Sequence, residues 1–427
     1  MKYPLILLVL LLFISCHQQN TNYLSQNGEK AGFVKTIPQD SVFSGIEGFD
    51  PYGGYLSIKG KATGHFHLDT LNGRHYLITP AGHGFISIGV THTIGLKNER
   101  QSRYHYLEES LNGDWDKASV EIQTYFRQWG YNTLGYGSHK STRKLLPYFA
   151  GCQPTKVSAW LGKNVVYPDV FSEEWKEEAR QILEKTIEEY GITSNLIGIY
   201  WTDIPLWDLN QAKRKLGKTW VDAIRELPQH AAGKIKYEQF LSKNGSNASD
   251  EDFLVLIARE VYSFLGPLTR KLAPNTLIFG ERYAGWALPW SVIQEALPYI
   301  DVVSIQPPSS AVYPKNFERL YRETGKPIMV CDHNIGFNTP EHSNVMWKTL
   351  GNVDSVGLAY ERYLKEGFSR PYLLGYNKCQ YIDRFLVDQK ILKQGLLQVD
   401  GKPYEELVDW VEKVNWHIHD QFITLSK

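Results

Sequence analysis

Eight short apolar runs alternate with helical stretches over most of this chain, and that alternation restricts the fold more than any other feature. The first is Phe85 to Val90, followed by 132–138 (NTLGYGS), 155–161 (TKVSAWL) and 195–203 (NLIGIYWTD). The remaining four are 276–283 (TLIFGERY), 301–307 (DVVSIQP), 326–333 (KPIMVCDH) and 372–381 (YLLGYNKCQY). Continuous apolar character suits strands covered on both faces, as parallel strands are. Between them, 172–191 spaces Trp175, Ala179, Ile182 and Ile187 near the helical period, and 251–272 is a second long helical segment. Eight β segments, each with a crossover, predict an α/β chain whose residues 85–427 form a (β/α)8 TIM barrel. A doubly wound sheet is the alternative, but no Gly-x-Gly-x-x-Gly follows the first run. Ahead of the barrel, 45–84 alternates apolar and polar residues around Asn72-Gly73 and Ala81-Gly82, which predicts a small N-terminal β-hairpin layer.

Such a barrel carries its chemistry where the strands end. Those ends are polar and aromatic: Thr91-His92; Tyr136, Ser138 and His139; Trp201-Thr202-Asp203; Glu281-Arg282-Tyr283; Gln306; Asp332-His333-Asn334; and Lys378, Gln380 and Tyr381. Asp203 and Asp332, on the fourth and seventh runs, face each other across the mouth, as paired acid/base work requires. With His333 and Tyr136 they form the candidate catalytic set. The candidate binding residues are His92, Trp201, Arg282, Tyr283, Gln306, Lys378, Gln380 and Tyr381. Other strand-end groups have plainer readings. Asp169 reads as the cap of the helix that follows it, and Glu281 with Arg282 as an ion pair on the rim. His65, His67 and His75 read as ordinary packing or surface histidines. Trp201 and Tyr136 would fill the barrel as readily as line a cleft.

The 46 basic and 46 acidic residues cancel, which leaves no electrostatic reach for a nucleic-acid partner. Aromatic residues reach 13%, enough for either a large core or a cleft of flat rings against sugar faces. The four cysteines show no Cys-x-x-Cys or other metal-ligand spacing, so no cofactor and no metal site are expected. Cys331 and Cys379 read as buried thiols. Residues 1–16 (MKYPLILLVLLLFISC) have a lysine, a short apolar run and a terminal Cys16 resembling a bacterial lipobox. The run is too short to span a bilayer. Residues 17–44 read as a flexible tether. Together they predict an exported lipoprotein on a Gram-negative cell-envelope membrane, held by a lipid on Cys16 alone, with no protein partner inferred.

Several phrases carry a family resemblance: RHYLITPAGHGFISIGVTHT (74–93), YFRQWGYNTLGYGS (125–138), VYPDVFSEEW (166–175), IGIYWTDIPLWDL (197–209), KPIMVCDHNIGF (326–337) and GYNKCQYID (375–383). They resemble agarase-type glycoside hydrolases of the large TIM-barrel clan. The resemblance implies a carbohydrate-active enzyme, its substrate an oligosaccharide of the kind marine bacteria cut from algal polysaccharides. In that clan the fourth strand ends in Asn-Glu, the Glu being the acid/base; here those positions hold Asp203 and Ile204. The seventh-strand nucleophile is a Glu; here it is Asp332, one methylene shorter. Retaining hydrolysis needs carboxyls about 5–5.5 Å apart, a spacing the shorter side chain compromises.

Hydrolysis with water between Asp203 and Asp332 is one resolution. The other is elimination of water from a terminal hexuronate, giving a 4,5-unsaturated sugar. That reaction needs a base, an acid and cations, which His92, His333, Tyr136, Tyr381, Arg282 and Lys378 offer. The chain also resembles the oligosaccharide dehydratases of marine ulvan-degrading Bacteroidetes. Dehydration of ulvan-type oligosaccharides is therefore the first expectation, agarase-like exo-hydrolysis the second, and a catalytically inactive glycan-binding barrel the third.

Overall fold

The protein, described by a computed structural model, has residues 42–96, 106–386 and 390–424 in defined places. Cys16, the signal segment and most of the tether lie outside the described residues. Among those described, no helix is long and apolar enough to cross a membrane.

Four antiparallel strands come first: β1 (Tyr55–Lys59), β2 (His67–Leu71), β3 (Arg74–Ile78) and β4 (His83–Phe85), in the order β1-β4-β3-β2. This sheet is tied to the last helix, Glu405–Thr424, through Tyr55, whose hydroxyl lies 2.8 Å from His419 Nδ1 and whose ring stacks on Phe422. Val42 and Phe43 are buried, so the end of the expected tether is part of the packed body.

Nine short parallel strands follow: β5 (Ser87–Val90), β6 (Thr133–Leu134), β7 (Tyr148–Gly151), β8 (Leu196–Tyr200), β9 (Leu277–Ile278), β10 (Tyr283–Ala284), β11 (Val303–Gln306), β12 (Ile328–His333) and, after the minor pair β13 (Gly336–Phe337) and β14 (Thr349–Leu350), β15 (Leu373–Lys378). Their order is β10-β11-β12-β15-β5-β6-β7-β8-β9. The two edge strands are halves of one segment, broken at Gly280, which adopts φ +66°. On one side Phe279 N donates to Ile199 O at 2.9 Å; on the other Gly285 N donates to Gln306 O at 2.9 Å. The sheet therefore curls until its two ends meet in the same stretch of chain, giving eight strand positions around a barrel-like wall. Its interior is tight: a Cβ on Gly89 would lie 2.3 Å from Asn377 Oδ1 and 2.8 Å from Thr133 O.

One expected strand is misplaced. Residues 155–161 are not extended; Ala159–Asn164 forms a 3-10 turn capped by Ser158, and the third strand is β7, earlier in the chain. Its four residues follow Pro147, too short a run to stand out by pattern. Phe85 belongs to β4 of the small sheet, so the barrel begins at Ser87. The helix Glu173–Tyr190 is capped by Ser172 and buries Trp175, Ala179, Leu183 and Thr186. Asp169 is not its cap: Oδ2 accepts from Gly233 N at 2.9 Å, on the helix Ala232–Asn244, whose own N-cap Ala231 makes no side-chain bond. The helix Asp250–Leu272 covers the β8–β9 side.

Candidate active site

Period-two alternation decides which strand-end groups face the mouth. Arg282, between β9 and β10, turns inward and is fully buried. Its Nη2 lies 2.8 Å from Asp203 Oδ2 and its Nη1 3.5 Å from Asp332 Oδ2. Its guanidinium carbon sits 3.8 Å from the centre of the Tyr136 ring. Asp203 also accepts Trp160 Nε1–H at 2.9 Å and the Gln306 side-chain amide. One cation thus holds both candidate catalytic carboxylates. Burial opposes the charge on Arg282, but Asp203, Tyr136 and Asp332 outweigh it and hold the guanidinium above its ordinary pKa. Burial raises the Asp332 carboxyl, against the pull of Lys393 and Arg282.

The expected rim pair between Glu281 and Arg282 is absent. Glu281 points outward, accepting bonds from Trp207 Nε1 and the Tyr262 hydroxyl at 2.6 Å each, and burial lifts it to about 7.

His92 follows β5 with φ +58°. Its Nε2 lies 3.9 Å from Asp332 Oδ2 and 3.4 Å from Lys393 Nζ, and its ring meets Tyr136 edge-on at 5.7 Å. An ammonium only donates, so the Nε2 facing it carries the lone pair. Burial, then Lys393, Arg282 and Arg384, push the His92 pKa well below its usual value, and the ring is neutral at pH 7. Lys393 and Arg384 come from the hairpin β16 (Arg384–Leu386) and β17 (Ile391–Lys393), beyond the last barrel strand.

Beside this cluster runs a groove of about 320 Å³, floored by Ile204, Gln306 and Asp332 and walled by Trp160, Trp286 and Trp347. Trp160 and Trp286 are 51% and 40% exposed, an unusual presentation of large rings to solvent. His92, Asp332 and Cys379 bring donor atoms within 4.8 Å of one another, the metal-compatible grouping found among the described residues. It suits a cation poorly, because Arg282 and Lys393 border it, and burial with Asp332 holds the Cys379 thiol up at about 12.

Several expected site residues face elsewhere. His333, one residue past Asp332, turns behind the barrel: Nδ1 lies 3.1 Å from the Tyr376 hydroxyl, Nε2 2.9 Å from Ser310 O, and the ring stacks on Tyr363. Burial drops its pKa to about 3, so it is a packing histidine. Lys378 is buried behind the wall, donating to Asn334 Oδ1, and burial lowers it to about 8. Trp201 donates to Thr269 Oγ1 at 3.1 Å on the covering helix. Tyr283 packs outward with Glu281 and Tyr262, and Tyr381 is buried beside Phe126. Gln380 donates to Ile382 O and Lys393 O, bracing the hairpin at the mouth. The structure thus brings together His92, Tyr136, Asp203, Arg282, Gln306 and Asp332. Lys393, Trp160 and Trp347 join them, although strand-end reasoning did not reach them.

No family profile matches the chain. The curated β-agarase B of Vibrio sp. (strain JT0107) is 21% identical over 243 residues, covering 56% of this chain but only 24% of that protein. The chain thus spans about a quarter of that relative's length. Among solved structures, an exo-β-agarase superposes with TM-score 0.75 at 17% identity, over 88% of this chain and 68% of that one. The crystal structure of BpGH50 gives 0.68 at 17% identity, over 93% and 91%. The agarase AgWH50C gives 0.69 at 18%, over 88% and 66%. The chain shares their barrel fold.

Proposed function

We propose that this chain is a carbohydrate-active enzyme that works on the acidic end of an oligosaccharide, eliminating water from a terminal hexuronate. The agarase fold and the tryptophan-walled groove support the sugar, since flat rings cover the C–H faces of a pyranose. The observation that carries the reaction is the capture of Asp203 and Asp332 by one buried guanidinium, beside a neutral His92. Hydrolysis needs two carboxyls free to act as acid and as base or nucleophile. Elimination needs a base beside C5, and an unprotonated imidazole can serve as one. In that reaction His92 Nε2 takes the proton from C5 and afterwards releases it to solvent, the freed electron pair forms the C4=C5 bond, and the C4 hydroxyl leaves as water. Tyr136, edge-on to His92, donates the proton to that hydroxyl and is reprotonated from solvent.

A second reading, agarase-like exo-hydrolysis through Asp203 and Asp332, is favoured by the relatives, a β-agarase and an exo-β-agarase among them. The raised pKa of Asp332 would suit a general acid. The test is to incubate uronate-terminated ulvan oligosaccharides with the wild type and with Asp203→Asn and His92→Gln. Ultraviolet absorbance from a new conjugated double bond, lost in His92→Gln, supports elimination. Shortened chains without that absorbance, lost in Asp203→Asn, overturn it in favour of hydrolysis. Proposed with this function is the location expected from the leader, an exported protein held by a lipid on Cys16.

A further inference from the structure

Among the described residues, the four buried cations differ in what they meet: Arg143 lies 3.9 Å from a Glu189 carboxylate oxygen. Arg282 has two aspartates. Lys378 donates to Asn334 Oδ1. Lys393 is only 5% exposed, yet among the described residues no carboxylate lies within ion-pairing distance of it. Its polar neighbour is a neutral imidazole, His92 Nε2 at 3.4 Å, and its other neighbours are the rings of Trp160 and Trp347, centred 5.6 and 5.7 Å away. The field of Asp332 reaches Lys393, but its carboxylate makes no direct contact, and two indole faces return only part of the hydration a buried ammonium loses. The backbone that carries it is held in place: Arg384 stands opposite Lys393 in the hairpin register, and Gln380 Nε2 donates to Lys393 O at 3.2 Å.

We propose that Lys393 is the carboxylate-binding residue of this site, so that it, and not Arg282, sets the preference for a hexuronate over a neutral sugar. Trp160 and Trp347 flank the bound acid and cover the sugar ring. The proposal rests on the carbohydrate reading above, but holds for either reaction at the site. It also couples recognition to chemistry. Without an acid present, the ammonium donates to His92 Nε2 and occupies its lone pair. A carboxylate draws that hydrogen bond to itself and frees Nε2 next to C5, the carbon that bears the carboxylate.

The test is calorimetric binding of D-glucuronate, its methyl ester and methyl β-D-glucoside to the wild type, Lys393→Met and Lys393→Arg, with thermal melts of each. The wild type should bind glucuronate at least tenfold more tightly than either neutral sugar. Lys393→Met should abolish that preference while melting no lower than the wild type, and Lys393→Arg should keep most of it. A preference that survives in Lys393→Met, or is missing from the wild type, overturns the assignment. Should Lys393→Met fail to fold, a crystal structure of the wild type with glucuronate decides: the carboxylate against Lys393 Nζ supports it, and the carboxylate against Arg282 or elsewhere overturns it. Neutral sugars binding as well as the acid would remove only the role of Lys393. Binding of no sugar at all would remove the carbohydrate reading with it.

Discussion

Replacing Arg282 with methionine removes the guanidinium that contacts both Asp203 and Asp332 in the mouth, at 2.8 and 3.5 Å. The two carboxylate side chains are 12% and 6% exposed, so water compensates little for the loss. Breaking a buried ion pair by deleting one partner costs about 3–5 kcal/mol, most of it the stranded charge. Asp332 has an escape, because its pKa already lies above the ordinary 3.8 and rises further once the guanidinium is gone. A carboxyl with a raised folded-state pKa carries no penalty below its unfolded value and the full penalty above its folded one. Arg282→Met should therefore lose about 3–5 kcal/mol at pH 8. As the pH falls toward 5 it should recover by at most about 1.4 kcal/mol per unit for one proton. Urea denaturation at both pH values measures this, provided the m-values agree. The double variant Arg282→Met/Asp332→Asn should be more stable than Arg282→Met at pH 8. A variant as stable as the wild type, or one equally weakened at both pH values, refutes the shared-cation account.

The same structure supports further expectations. Glu281, fully buried and raised to about 7, should cost stability progressively from pH 4.5 to 7. Glu281→Gln should flatten that part of the stability profile, worth about 3 kcal/mol at most; an unchanged slope would falsify the buried-acid assignment. His92→Gln should lower turnover on acidic oligosaccharides by about a hundredfold or more while the melting temperature holds, as expected for a lost general base. Trp160→Ala removes a groove wall and a hydrogen bond to Asp203. It should raise KM by about two- to tenfold, and an unaltered KM would show that the groove holds no sugar. Gly89→Ala forces a methyl against Asn377 and Thr133 and should cost about 1–3 kcal/mol in a urea titration.

The barrel was legible because seven of its eight strand positions are apolar runs that stand apart from the amphipathic helices around them. The eighth, β7, was not: Tyr148–Gly151 is four residues behind a proline, and the more apolar 155–161 took its place. Strand ends located the mouth, but a contiguous run of polar residues cannot say which of two neighbours turns inward. That ambiguity placed His333 and Lys378 in the site, when Asp332 faces in and those two pack behind the wall. Reading the alternation outward from Asp332 and Arg282 would have excluded His333, Glu281 and Tyr283. Lys393 was out of reach for a different reason. It sits on a hairpin after the last strand, and only folding brings it to within 3.4 Å of His92. Trp160 was hidden because its segment was read as a strand.

The central claim is that water leaves the sugar rather than enters it. The direct measurement is mass spectrometry of the products formed from uronate-terminated oligosaccharides in oxygen-18 water. Elimination predicts a product of unchanged chain length, lighter by one water and free of label. Shorter fragments carrying oxygen-18 at a new reducing end would contradict the account and return the chemistry to Asp203 and Asp332.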